Sequence, residues 1–341
     1  MGLPAHPALS PVVVTGLALA LLTGCKETPK PAPKPVEVCP RGQAEICFER
    51  GVAKLAEAPT KAAEAFERGC ADEHAGCCLR LAQLLADGRG VARDSPRAAS
   101  LFSQTCNAGV GEACTSLGEL QLLLDEPDQK EVQRLFERAC ELAHADGCLK
   151  AGSRWAAGTG VEEASKKEAL VRWEKACAGG NARGCASLGL NLVLGLEVKK
   201  DPERGQTLLR KACNAGDAHA CKDLGGLHLA ELVPDPNPKK GVVLLKNACN
   251  LGYGDGCNEL AVAHAQELSG LERDAAAIAQ LFAKACRLKS PAGCSNYGLA
   301  LFAGDGLEAD PVAGHKHLEM ACTAKHEDAC EMLEKMAKAQ E

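Results

Sequence analysis

The sequence predicts an all-α fold, an α/α solenoid of about eight disulfide-linked helical hairpins ending in a C-terminal capping helix. Two patterns predict it. Cysteines recur in pairs with a period of about 36 residues, and large and small apolar residues recur in step with them. Composition agrees: only 3 % of the 341 residues are aromatic, which suits closely packed helix pairs better than one deep core. The formal net charge of −6 is spread along the chain with no Lys/Arg stripe, so the electrostatic footprint of a nucleic-acid binder is missing.

The chain divides into three segments. Residues 1–25 hold no Lys, Arg, Asp or Glu, and an apolar run extends from Val12 to Leu22. Such a run is too short to span a bilayer and reads as the core of a signal peptide. It ends in Leu22-Thr23-Gly24-Cys25, which resembles a bacterial lipobox. That resemblance implies lipidation of Cys25 as the first residue of the mature chain. Lys26 stands where many Gram-negative lipoproteins carry the Asp that retains them at the inner membrane, so the same resemblance implies the outer membrane. Residues 26–38 carry Pro29, Pro31, Pro33 and Pro35 and read as a polyproline spacer. Residues 39–341 form the solenoid, with the capping helix expected at about 326–341.

Within the solenoid, eighteen of the twenty cysteines form pairs with seven residues between the members. They are Cys39/Cys47, Cys70/Cys78, Cys106/Cys114, Cys140/Cys148, Cys177/Cys185, Cys213/Cys221, Cys249/Cys257, Cys286/Cys294 and Cys322/Cys330. On one continuous helix such partners would stand about 12 Å apart, whereas a disulfide needs Cα atoms within roughly 7 Å. The chain must therefore turn between them, and each bridge clips the end of one unit's second helix to the start of the next unit's first. Zinc sites use closer Cys or Cys/His sets, and with the export signal disulfides are the preferred reading. Cys77 is left unpaired, either a small buried residue or a reactive thiol.

Other columns keep the same register. Four residues before the first cysteine stand Phe66, Phe102, Phe136, Trp173, Leu209, Leu245, Phe282 and Leu318. One residue before it, Ala139, Ala176, Ala212, Ala248, Ala285 and Ala321 recur. Four residues after the second cysteine come Gly51, Ala82, Gly118, Gly152, Gly189, Gly225, Ala261 and Gly298, and then Glu334. Large and small residues at this spacing mark a buried helical stripe with close helix approach. Glu334, a charge in a small-residue column, marks a cap on which nothing further stacks.

Start and stop signals complete the hairpin. Asp94, Asp201 and Asp310 precede second helices whose first turns contain Pro96, Pro202 and Pro311. Gly109, Gly180, Gly216 and Gly252 stand where those helices end. Gly88-Arg89-Gly90-Val91 and Gly158-Thr159-Gly160-Val161 supply inner turns, which Leu124–Asp128, Glu231–Asn237 and Glu267–Gly270 replace with other loops.

Taken together, Cys-x-x-Leu-Gly, Gly-x-Gly-Val, Asp, and Leu-Phe-x-x-Ala-Cys in this order resemble the Sel-one-like repeat (SLR) family, relatives of the tetratricopeptide repeats, and the Cys-x₇-Cys pairs resemble its secreted, cysteine-rich bacterial branch. The resemblance covers residues 39–341, most clearly Cys185 to Cys213 and Cys221 to Cys249. It implies a right-handed superhelix whose concave groove binds a protein or peptide. It also implies an alternative, since some cysteine-rich relatives are described as penicillin-binding or weakly β-lactam-hydrolysing. A structural envelope spacer is the third reading.

Catalytic chemistry finds no residue set. No serine has a Lys three positions on, no Lys-Thr-Gly or His-Glu-x-x-His occurs, and His315-Lys316-His317 reads as solvent-facing. No cofactor or metal is expected. His74, His144, His219 and His326 fall in the links between paired cysteines and read as solvated. One column could line the groove, seven residues after the second cysteine: Leu85, Gln121, Trp155, Leu192, His228, His264 and Leu301, with Trp155 suited to anchoring a partner. The alternative for that column is packing between units. The chain so read is a lipid-anchored periplasmic or cell-surface scaffold for another protein, attached to the membrane through Cys25.

Overall fold

The computed structural model describes residues 39–338, except 41, 197 and 271. The signal peptide, Cys25 and the proline-rich spacer lie outside the described residues. Within them the chain is α-helical, with no strand and one short 3-10 turn at Leu268–Gly270. Seventeen helices follow one another. They are α1 (Ala44–Lys54), α2 (Pro59–Ala71), α3 (Ala75–Asp87), α4 (Ser95–Asn107), α5 (Gly111–Gln121), α6 (Gln129–Glu141), α7 (Ala145–Ala157), α8 (Lys166–Ala178) and α9 (Ala182–Leu194). Then come α10 (Pro202–Asn214), α11 (Ala218–Leu229), α12 (Pro238–Asn250), α13 (Gly254–Ala265), α14 (Ala275–Arg287), α15 (Pro291–Ala303), α16 (Pro311–Thr323) and α17 (Glu327–Lys338). Odd-numbered helices are the first (A) and even-numbered ones the second (B) of eight hairpins, and α17 follows the eighth.

The B helices begin where the sequence signals them. The side chains of Asp94, Asp201 and Asp310 accept the N–H of Arg97, Arg204 and Ala313 at 2.9–3.1 Å, which satisfies an otherwise orphaned donor of the first turn. They end three residues past the first cysteine in a left-handed residue. Gly109, Gly180, Gly216 and Gly252 hold that position with φ of 84–94°, and Glu73, Ala143, Lys289 and Lys325 hold it with φ of 58–64°. Every junction thus turns through the same backbone conformation, whether or not a glycine supplies it.

Each hairpin closes over its apolar columns. The large residue four before the first cysteine is buried in all eight units, from 0 % exposed at Phe66 to 9 % at Phe282. The small residue of the A helix faces it within the same hairpin. A Cβ on Gly118 would stand 2.7 Å from Phe136 Cε1, and one on Gly152 would stand 2.7 Å from Trp173 Cδ1. The close approach that the glycine column anticipates is therefore made by the partner helix of the same unit. In α17, after which no further B helix stands among the described residues, Glu334 is exposed.

The cysteine pairs tie hairpin to hairpin. Cys70–Cys78 joins α2 to α3, Cys106–Cys114 joins α4 to α5, Cys140–Cys148 joins α6 to α7, and Cys177–Cys185 joins α8 to α9. In the second half, Cys213–Cys221 joins α10 to α11, Cys249–Cys257 α12 to α13, Cys286–Cys294 α14 to α15, and Cys322–Cys330 α16 to α17. In these eight the Cα atoms are 4.3–4.7 Å apart, where partners on one continuous helix could not be. The ninth pair, Cys39–Cys47, has its Cα atoms 5.3 Å apart and corrects the expectation that every bridge links two units. No B helix precedes α1 among the described residues, so this bridge pins the entering segment onto α1 instead. Closing a loop of this length contributes about 2–3 kcal/mol per bridge in the chain-entropy model.

Successive A helices from α1 to α15 also touch each other, whereas among successive B helices only α6 and α8 do so to a similar extent. The A helices are therefore the more closely spaced side of the stack.

Candidate interaction face

The A helices present two kinds of column, and only one faces outward. The column seven residues after the second cysteine lies three residues, hence nearly one helical turn, from the small-residue column and shares its face. Leu85, Leu192 and Leu301 are 4–8 % exposed. His228 is 4 % exposed, and its Nδ1 accepts the Asn237 N–H at 3.1 Å. Trp155 is half-buried, donates its indole N–H to Glu137 and lies under the Arg172 guanidinium, 5.4 Å from the ring centroid. Gln121 is half-buried with its Oε1 enclosed. His264 is half-buried in a hollow between α12, α13 and α14, separate from the other members of the column. As a set these residues pack the hairpins; they do not line one groove, and Trp155 is already engaged inside the chain.

The outward columns stand two and five residues after the second cysteine. Arg80, Gln83, Glu119, Lys150, Ser153 and Ser187 from these columns line a cleft of about 1340 Å³ running across α3, α5, α7 and α9. Leu122 and Leu123 border it from the loop after α5, and with Leu124 they are 39 %, 71 % and 60 % exposed. That loop is one of the three that replace the glycine turn.

Polar contacts lace the A helices together across this face. Arg80 Nη1 donates to Gln83 Oε1 at 2.8 Å and approaches Glu112 at 3.3 Å. Lys150 pairs with Glu119 at 2.9 Å and Asp146 at 3.5 Å. Burial alone would lower the Lys150 pKa, but these two carboxylates outweigh it and raise it. Farther along, Arg183 bonds Asp217 at 2.6 Å, and His219 stacks on Tyr253 with centroids 3.9 Å apart. Burial and then the Arg183 charge lower the His219 pKa. Lys222 lies 2.8 Å from Asp223 and 3.5 Å from Glu259; the two carboxylates overcome its burial and hold it charged. Tyr253 donates to Asp255 at 2.9 Å, and burial together with that bond pushes its phenol up to about 12.

The link histidines are structural parts rather than solvated loop residues. His74 Nδ1 accepts the Cys77 N–H at 3.1 Å, and His144 Nδ1 accepts the Gly147 N–H at 3.4 Å, so each caps the next A helix. His326 has its Nδ1 enclosed. His315 is exposed, but His317 lies on the Gly314–Leu318–Ala321 stripe and is half-buried, 3.5 Å from Cys286 Sγ and edge-on to Tyr297. The expectation of a solvent-facing His315/His317 pair therefore holds for one member only. Cys77 is 0 % exposed, and burial, followed by Glu45 and Asp72, pushes its thiol up to about 11. A buried, protonated thiol is not a nucleophile.

Among the described residues no group of three or more His, Cys, Asp or Glu could hold a metal ion, and no helix is long and apolar enough to cross a membrane. A chain this rich in cysteine pairs suits an oxidising compartment.

The geometry has known counterparts. The sequence matches the Sel1 repeat at residues 75–110, 182–217, 218–253 and 291–326. Each match starts at the first residue of an A helix and runs through its B helix to the next link. No curated protein matches the sequence. Among solved structures, a Sel1 repeat protein from Oxalobacter formigenes is 25 % identical, covering 70 % of this chain and 99 % of that one, with a TM-score of 0.63. A protective antigen of uropathogenic Escherichia coli displaying an SLR fold is 17 % identical, covering 86 % and 72 %, with a TM-score of 0.59. Cysteine-rich protein B of Helicobacter pylori is 30 % identical, covering 41 % of this chain and 99 % of that one, with a TM-score of 0.34. With its hairpins in the same register as the matched repeats, the chain belongs to the Sel1-repeat family and is a repeat scaffold of the SLR type.

Proposed function

We propose that this protein is an exported, lipid-anchored scaffold that holds another protein against the concave face of its A helices. The observation that carries the reading is the cleft across α3, α5, α7 and α9, the place where four consecutive units offer side chains to one ligand. Rigidity supports it: a groove tied by a bridge at each junction loses little conformational entropy on binding. Photocrosslinking in envelope extract tests it, with benzoylphenylalanine placed at Ser153 or Ser187 in the cleft and at Val312, 83 % exposed on α16, as the control. A discrete adduct from the cleft positions and not from Val312 is expected. Equal adducts from all three, or none, would count against the reading. Anchoring rests on Cys25, and Cys25→Ser is expected to move the protein from the membrane to the soluble fraction; unchanged membrane retention would reject the anchor.

The β-lactam alternative gains nothing from the cleft. Ser153 does lie one helical turn from Lys150, but its hydroxyl donates to the Leu149 carbonyl at 3.0 Å. Lys150 is held protonated by two carboxylates, which makes it a cation in an ion pair rather than a base.

A further inference from the structure

Charge is distributed unevenly over the cleft. The whole chain carries a formal net charge of −6. The cleft is lined by Arg80, Arg89, Arg93, Lys150, Arg154 and Arg183 against only Asp87 and Glu119. Three of those cations have carboxylate partners within the chain: Arg80 with Glu112, Lys150 with Glu119 and Asp146, and Arg183 with Asp217. The other three have none among the described residues. Arg89 donates to the Leu55 carbonyl at 2.9 Å. Arg154 bonds the neutral Gln129 and Gln133 and stands 5.9 Å over the Phe136 ring. Arg93 is exposed and forms no ion pair among the described residues. Of the opposing charges of the lining, Asp87 alone is unpaired among the described residues.

These three arginines share an end of the cleft. Arg89 and Arg93 sit on the inner turn of the second hairpin, and Arg154 sits in the last turn of α7, in the fourth. Between them, on the third hairpin, stands the exposed Leu122–Leu124 loop. The order across the lip is therefore cationic, apolar, cationic. An apolar patch flanked by guanidinium groups that have no carboxylate partner is complementary to a segment whose acidic side chains flank an apolar one, since guanidinium groups attract and hydrogen-bond carboxylates.

We infer that the cleft takes an acidic, leucine-bearing peptide segment of the partner, with Arg89, Arg93 and Arg154 meeting its carboxylates and Leu122–Leu124 its apolar side chain. A flat anionic membrane would suit protruding groups, whereas here Arg80 to Arg183 line a concavity. The inference rests on the groove reading above and adds the chemistry of the ligand.

The test uses the full-length oxidised protein and a fluorescein-labelled dodecapeptide of repeated Glu-Glu-Leu, with Gln-Gln-Leu and Lys-Lys-Leu counterparts and phosphatidylglycerol vesicles as comparisons. The acidic peptide is expected to bind about tenfold or more tightly than either counterpart, with affinity falling as salt rises. Arg89→Glu with Arg93→Glu, both exposed positions, should weaken it by about tenfold or more and flatten the salt dependence. Leu123→Ser should weaken it without altering the salt dependence. Equal binding of the Gln-Gln-Leu peptide, or indifference to the arginine reversals, would overturn the inference. Vesicle binding lost in the same arginine variants, with no peptide preference, would assign the arginines to a membrane instead. If the cleft crosslinks of Ser153 and Ser187 persist while the peptides show no charge preference, the ligand chemistry alone falls; if both experiments fail, the groove reading falls with it.

Discussion

Gly69 and Cys77 are fitted to each other: a Cβ on Gly69 would lie 2.3 Å from the Cys77 Sγ. The four junctions with a glycine just before the second cysteine divide the same space the other way. There an alanine precedes the first cysteine, and a Cβ on Gly147, Gly184, Gly256 or Gly293 would lie 2.4–2.6 Å from Ala139, Ala176, Ala248 or Ala285. The first junction has moved the larger residue across the contact. Cys77 is thereby explained as packing.

This exchange predicts a coupled pair. Gly69→Ala alone should lower the unfolding midpoint of the first hairpins by an amount equivalent to about 1–3 kcal/mol, the usual range for overpacking. Cys77→Gly alone should also destabilise, through the void and the flexibility of glycine in a helix. The double variant, which reproduces the arrangement of those four junctions, should recover most of the loss. Denaturant unfolding of the four proteins under non-reducing conditions measures the cycle. Additive losses would show that the two residues do not share one space.

The buried Cys77 thiol also predicts an alkaline signature. Its pKa in the fold is about 11 against an ordinary 9.0. The unfolded chain therefore gives up this proton first as pH rises. The contribution of the neutral thiol to stability is complete below pH 9 and is lost as pH rises through 11. Comparing the parent with Cys77→Ala across that window should show a steeper loss in the parent. A thiol-labelling reagent should reach Cys77 only after unfolding; rapid labelling of the native protein at neutral pH would contradict its burial.

What the sequence disclosed follows from what each residue touches. Phe136 and Gly118 are legible because each is sized by one fixed partner in the same hairpin, so the column repeats. The column containing Trp155 and His228 could be placed on a face but not assigned to a groove, because its phase is that of the buried stripe. Arg80, Lys150 and Ser187 were missed because outward positions vary freely, and a variable column in one sequence carries no contrast. Their phase, two and five residues past the second cysteine and off the buried stripe, was the available signal. His74 and His144 resembled solvated loop residues, since a link of seven residues does not reveal which of them caps the following helix.

The left-handed column supports a stabilisation experiment. Glu73, Ala143, Lys289 and Lys325 adopt the conformation that glycine supplies at the other four junctions. A non-glycine residue there carries a strain of about 1 kcal/mol. Replacing each with glycine should raise stability by about 0.5–1 kcal/mol, with the four adding up because they lie in separate junctions. The reverse change, Gly109→Ala, should cost a similar amount even though its added Cβ would meet nothing within 4 Å. Gly118→Ala should cost more despite a helical backbone, because its Cβ would press on Phe136. Thermal melts of these variants decide the point; a neutral Gly109→Ala would show that the column is not strained.

The bridges should not be equivalent, because each hairpin touches only its neighbours along the stack. Cys213–Cys221 joins α10 to α11 near the middle, whereas Cys39–Cys47 fastens only the entering segment to α1. Replacing Cys213 and Cys221 with alanine removes about 2–3 kcal/mol from one internal junction. In a nearest-neighbour stack, a weak internal junction lets the two halves unfold separately. The expected outcome is a broadened or two-step denaturant transition for this variant, and a transition close to the parent's for Cys39→Ala with Cys47→Ala. Urea unfolding followed by circular dichroism, without reductant, distinguishes them. Equal effects of the two pairs would mean that stability is shared across the solenoid as in a single core, and the nearest-neighbour account would have to be abandoned.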